Sequence, residues 1–212
     1  MRAVNNNDRH TNNHSETNMH TEVTRLDWLT WWASGCVLQS DPSWKSEAIF
    51  PVERQKARAF MHANIPLLSR HFDLPMQLPP EPVVSLMQIG ALSAFQREQI
   101  LNLIAAACQP QAPSSVLTGE QITWCRRLAK ALRPGLWLSE HVAFTDGYAD
   151  ALTLLRVRYG EICWPRLRLL FPQSWVTRCR KPEYALPAGR LNTLCDALVW
   201  KAAAVAQDGP MS

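Results

Sequence analysis

Apolar positions along this chain recur at intervals of three and four, and strict alternation is nearly absent. In TEVTRLDWLTWWAS, Leu26, Trp28, Leu29, Trp31 and Trp32 form a dense apolar patch beginning near Glu22, with a helix end at Ser34-Gly35. QSDPSWKSEAIFP reads as loop. VERQKARAFMHANIPLLSRHF places Val52, Ala59, Phe60, Ile65 and Leu68 at mostly helical spacing. Pro66 should bend or split that helix, because proline lacks the N–H and crowds the preceding turn. The proline-dense HFDLPMQLPPEP then separates an N-terminal helical layer (22–74) from a main bundle (83–207).

In the main bundle, Val83, Leu86, Met87, Ile89 and Gly90 predict one helix. Ser93 caps a second, with Gln96 three residues on as in a capping box. The apolar stripe of that second helix is Phe95, Ile100, Leu101, Ile104 and Cys108. Thr118 and Gln121 repeat the capping signal ahead of Ile122, Cys125, Leu128, Ala129 and Leu132, which leaves Arg126, Arg127 and Lys130 outside. Thr145 or Asp146 caps a helix through about Tyr159, which Gly160 is placed to stop. Pro165 suits the first turn of a short helix that Pro172 ends. The last helix, AGRLNTLCDALVWKAAAVAQ, turns Leu191, Leu194, Leu198 and Val199 inward. The expected class is all-α, an irregular multi-helix bundle.

Composition adds boundaries to this picture. Residues 1–21 are rich in Asn, Thr and His and too poor in large apolar groups to offset the entropy of ordering, so a disordered tail is expected there, and a flexible C-terminus at 208–212. His10, His14 and His20 lack acidic or Cys partners at ligand spacing, and no metal or cofactor site is expected. The six cysteines are far apart without a CxxC pair, as in a reduced protein. No basic-then-apolar leader and no membrane-length apolar run occurs, so residence in the cytoplasm is expected.

The net charge of +4 is uneven: residues 120–212 carry thirteen Lys/Arg against eight Asp/Glu. Such a surplus suits nucleic acid, anionic lipid or an acidic protein surface, or is a solvated face. Four arginines fall among the core formers of GYADALTLLRVRYGEICWPRLRLLFP. Helical spacing puts Ala151, Leu152, Leu155 and Tyr159 on one face, with Arg156 and Arg158 flanking it. In WPRLRLLFP, Trp164, Leu167, Leu170 and Phe171 turn inward and Arg166 outward, while Arg168 lies at the boundary with its stem on apolar surface and its head wet. A docking surface of Arg166, Arg168 and Trp175 follows, with the tryptophan-rich helix around Trp28, Trp31 and Trp32 as the other candidate, since Arg and Trp are the usual interface anchors. A helical nucleic-acid binder using Arg126, Arg127, Arg166, Arg168, Arg178, Arg180 and Lys181 is the alternative, although no recognition helix rich in Arg, Asn and Gln follows a short turn. Catalysis has no positive sign. Phosphate-loop glycine spacing and HExxH are missing, nothing places Cys163 beside His141, Glu140-His141 reads as a loop pair, and Asp146 and Asp150 are explained by the helix dipole.

Gly147-Tyr148-Ala149, a helix, then Arg166-Leu167-Arg168-Leu169-Leu170-Phe171-Pro172 resembles the C-terminal part of the SctK family (YscK, PscK, OrgA, MxiK), the accessory proteins of the type III secretion sorting platform. Leu86-Met87-Gln88-Ile89-Gly90-Ala91-Leu92 followed by Ile100 resembles that family's apolar helix with an internal glycine. The resemblance is clearest over residues 83–176 and rests on packing patterns rather than on chemically specific motifs. The Asn/His tail and the missing proline-containing opening depart from the family. The resemblance implies a mostly helical cytoplasmic protein without catalysis. It also implies partners: the cytoplasmic domain of the inner-membrane ring protein SctD, the pod protein SctQ and, through it, SctL and the ATPase SctN.

Overall fold

A computed structural model of the chain describes residues 25–45, 54–112, 114–138, 144–181 and 185–204. The tail and the last residues considered above lie outside these. Among the described residues the fold is all-α, without a strand. Helix α1 covers 25–38 and includes a π turn at Trp31–Gly35. After a short 3₁₀ turn at Pro42–Trp44 come α2 (Arg54–Ala63), α3 (Ile65–His71), α4 (Val84–Ala91), α5 (Ala94–Cys108), α6 (Gly119–Leu132), α7 (Gly147–Leu167), α8 (Gln173–Val176) and α9 (Ala188–Ala204). No described helix is long and apolar enough to cross a membrane.

Local signals set many of these ends. The Ser93 and Thr118 side chains accept from the N–H groups of Gln96 and Gln121, whose own side chains accept from the capping residues. Asp146 caps α7 by accepting from the Ala149 N–H. The chain breaks at Asn64, and Pro66 falls in the first turn of α3, where a missing N–H costs nothing. Gly160, at φ 72, kinks α7 into two segments. Pro165 lies inside the second segment rather than in the first turn of a separate helix.

Helix α1 does not stop at Ser34-Gly35 as expected. Gly35 keeps right-handed dihedrals, and its missing side chain accommodates Trp31, whose Cδ1 lies 3.2 Å from where a Cβ would stand. The helix therefore runs on to bury Cys36 and Val37 completely.

Helix α5 is the axis of the bundle and is packed by α6, α7 and α9. Its buried face is Arg97, Ile100, Leu101, Leu103, Ile104 and Ala107. Phe95, expected in that stripe, is 62% exposed, because it lies five residues before Ile100 and so off the face. The N-terminal layer and the bundle share one continuous core, from Trp28 to Ala202. The proline-rich connector lies on that core as a strap: Trp28 Nε1 donates to the Pro80 carbonyl at 2.8 Å and Trp32 Nε1 to that of Gln77 at 3.1 Å.

Candidate docking surface

The expected arginine surface is not a surface. Arg166 is 6% exposed. Its Nε donates to the Trp32 carbonyl at 3.0 Å, its Nη2 donates to the Pro75 carbonyl at 3.1 Å, and its guanidinium lies 3.9 Å over the Trp32 ring. The segment after Gly160 is buried nearly all round, since Cys163, Trp164, Arg166, Leu167, Leu169, Leu170 and Phe171 are all inaccessible, so no outward face is left for Arg166. The head of Arg168 is not simply wet either. It donates to the Phe72 carbonyl at 2.6 Å and lies over Trp44. Trp28, Trp31 and Trp32 are core residues and nearly inaccessible, with Trp28 stacked on Trp31 and tilted against Trp32. These five side chains join the N-terminal layer to the bundle and leave little for a partner to touch.

A second buried arginine, Arg97, is absent from the expectations. Its guanidinium donates to the last carbonyls of α4, Ile89 at 3.1 Å and Gly90 at 2.9 Å, and to Leu170 at 3.3 Å. It thus adds donors to the C-terminal carbonyls of one helix from the first turn of the next, Ile89 also accepting from the Leu92 N–H. Burial lowers the pKa of Arg97, Arg166 and Arg168 alike, and no described carboxylate pairs directly with any of them.

Trp175 does reach the surface. It stacks on Tyr148 with ring centroids 4.2 Å apart, and the Tyr148 hydroxyl donates to Glu98 at 2.6 Å. Burial and this bond to Glu98 raise the Tyr148 pKa. The Trp175 ring borders a cleft of about 370 Å³ at the N-terminal end of α5, with Phe95, Pro172, Asp41 and Glu98 around it. Arg97 closes the back of the cleft, but its donors are committed to carbonyls. The mouth is therefore aromatic and acidic.

A second cleft, of about 680 Å³, opens where the C-terminal ends of α5 and α6 meet. Arg126, Lys130 and Arg133 line it beside Pro110, Ala129 and Leu136. The thirteen residue-to-residue steps from Phe95 to Cys108 put the two clefts roughly 20 Å apart along α5, at 1.5 Å per residue.

The remaining candidates have local duties. Asp146 caps α7 and pairs with Arg178 at 2.6 Å, and Asp150 accepts from the Asp146 N–H. Cys163 is buried, with its thiol pushed up by burial, while Glu140 and His141 lie outside the described residues. All six cysteines are free, and burial raises the Cys36 and Cys125 thiols to about 11 and the Cys195 thiol to about 12. Arg156 and Arg158 flank α7 as expected and pair with Glu161 and Asp196. The chain matches no protein-family model, no curated protein and no solved structure.

Proposed function

We propose that this chain is a non-catalytic adaptor of a type III secretion system. In this reading it works at the cytoplasmic face of the inner membrane and links the ring protein SctD to the pod protein SctQ, and through SctQ to SctL and the ATPase SctN. The observation that carries the adaptor reading is the pair of clefts at the two ends of α5, one aromatic and acidic, the other basic and apolar. A linker needs two separate surfaces on a body that does not deform between them, and a continuous core around a single helix supplies that body. Opposite charge keeps the two partners from exchanging places, since complementary potentials favour the right partner and repel the wrong one.

The secretion assignment itself rests on the resemblance over residues 83–176. Its support is that the resembling residues have joint-forming duties: Gly90 is crossed by Trp31, and Arg166 and Arg168 tie the two layers together.

Trp175→Ala tests the reading. It removes an aromatic pair worth about 0.5–1.5 kcal/mol and should leave the chain folded. Affinity capture of the tagged variant from secreting cells should lose one ring or pod partner and keep the other. Capture of neither partner by the wild-type chain would sink the proposal.

A further inference from the structure

The geometry points to the basic cleft as a docking groove for an acidic, partly apolar segment of a partner protein. Arg126, Lys130 and Arg133 follow at four- and three-residue intervals and so share one face of α6. All three are exposed, with Arg127 beside them. Arg156, Arg158, Arg178 and Lys201 each have a carboxylate partner within ion-pair distance. Among the described residues the α6 group has none. The α6 group is thus a cluster of four exposed cations without a carboxylate partner; the other exposed, unpaired cations of the C-terminal half, Arg180, Lys181 and Arg190, lie on other segments.

Two features distinguish these side chains. The α6 dipole favours cations in the last turn, which accounts for Lys130 and Arg133 but not for Arg126, a turn earlier and one turn from a like charge. Arg133 also stands at φ 50, ψ 57 as the C-cap of α6, in the left-handed conformation that glycine adopts at least cost. The Pro134 that follows disfavours it further, since a residue before proline is pushed toward extended backbone. The left-handed cap, which Asp73 and Phe144 also adopt elsewhere in the chain, sets the Arg133 side chain at the rim of the groove beside Lys130.

The walls select the occupant. Pro110, Ala129 and Leu136 make the groove partly apolar, and Leu136 is 74% exposed. A free phosphate would meet the cations and leave Leu136 uncovered. A nucleic-acid strand would need an aromatic platform for its bases, and no aromatic residue lines the groove. A segment that alternates Asp or Glu with Leu satisfies both the cations and the apolar wall. This assignment concerns the chemistry of the groove and stands apart from which assembly the chain serves.

Fluorescence anisotropy with a dye-labelled Glu-Leu-Asp-Glu-Leu peptide tests it on the full chain. Wild type should bind saturably at low salt and more weakly as salt rises. The double variant Arg126→Gln, Arg133→Gly should weaken binding about tenfold or more, with a melting temperature equal to or above wild type, because glycine relieves the left-handed backbone. Lys130→Gln, a single change on an exposed side chain, should weaken it in the same direction, and Trp175→Ala should not. Failure of the wild type to bind the peptide, or unchanged binding by Lys130→Gln, overturns the proposal. Complete competition by inorganic phosphate at low millimolar concentration would instead make the groove a simple anion site. Tighter binding of a single-stranded oligonucleotide, lost in the same variants, would make it a nucleic-acid site.

Discussion

Reversing the charge of Arg166 should unfold the joint between the two layers. The side chain makes two charge-assisted hydrogen bonds, to the Trp32 and Pro75 carbonyls, and one close contact with the Trp32 ring. Each such bond contributes about 1.5–3 kcal/mol, and a desolvated cation–π contact about 2 kcal/mol. Against these stands the cost of burying a cation with no carboxylate beside it, several kcal/mol. Arg166→Met, which removes bonds and penalty together, should therefore cost only about 1–4 kcal/mol. Arg166→Glu places a carboxylate against two carbonyl oxygens and the negative face of an indole. It should cost more than about 4 kcal/mol, a large part of the stability of an ordinary domain. Arg127→Glu, on an exposed side chain, should change stability by less than about 0.5 kcal/mol. Urea unfolding followed by circular dichroism and tryptophan fluorescence would read all three. A wild-type midpoint for Arg166→Glu would refute the buried position of this arginine.

Gly90→Ala should destabilise by about 1–3 kcal/mol despite alanine's better helix propensity, because its Cβ would stand 2.7 Å from Trp31 Nε1; a more stable variant by urea melt would contradict that close approach. Asp146→Ala should cost about 1 kcal/mol at neutral pH through the lost cap. Burial pulls the Asp146 pKa up, but the bond from the Ala149 N–H and the Arg178 guanidinium hold it below the ordinary 3.8. The carboxylate's contribution is therefore complete above 3.8 and fades as pH falls through the lower folded value, so the gap to wild type should narrow in acid. The Cys195 thiol shows the reverse: burial foremost, with Asp196 adding and Arg158 opposing, raises it from 9.0 to about 12. Its contribution is complete below pH 9 and lost between there and about pH 12, where the unfolded chain ionises first. Cys195→Ala should flatten the urea midpoint against pH in that window.

What could be read from the sequence divides by range. The caps at Ser93, Thr118 and Asp146 were legible because each signal and its partner lie within one turn. So were the inward faces of α6 and α9. Arg166 is misplaced because a one-sided helix is expected for WPRLRLLFP, whereas the segment is buried nearly all round: Trp164, Leu167, Leu170 and Phe171 are inward as expected, and Arg166 and Leu169 are buried with them. The signal that would have found it is Cys163, Arg166, Leu167 and Leu170 at buried spacing. Arg97 had a comparable sign, standing three and four residues before Ile100 and Leu101, but its partners are carbonyls at Ile89, Gly90 and Leu170, and no local pattern announces those. The tryptophans of α1 were recognised as an apolar cluster. Their burial depends on the strap of Gln77 and Pro80 crossing them, a contact 45 to 52 residues away in the chain. Of the six residues singled out for docking, Trp175 has a half-buried position at the surface, because its indole stacks on Tyr148 at the rim of a cleft rather than inside the core.

The most direct test of the adaptor account is whether this chain bridges two proteins that do not otherwise meet. The purified cytoplasmic domain of a SctD-type ring protein and a SctQ-type pod protein would be mixed with and without it, and the products sized by chromatography with light scattering. A three-component complex that forms only in the presence of this chain is the predicted result, with Trp175→Ala and Lys130→Gln each releasing a different partner. If the chain elutes alone from both proteins at concentrations well above micromolar, the account is contradicted.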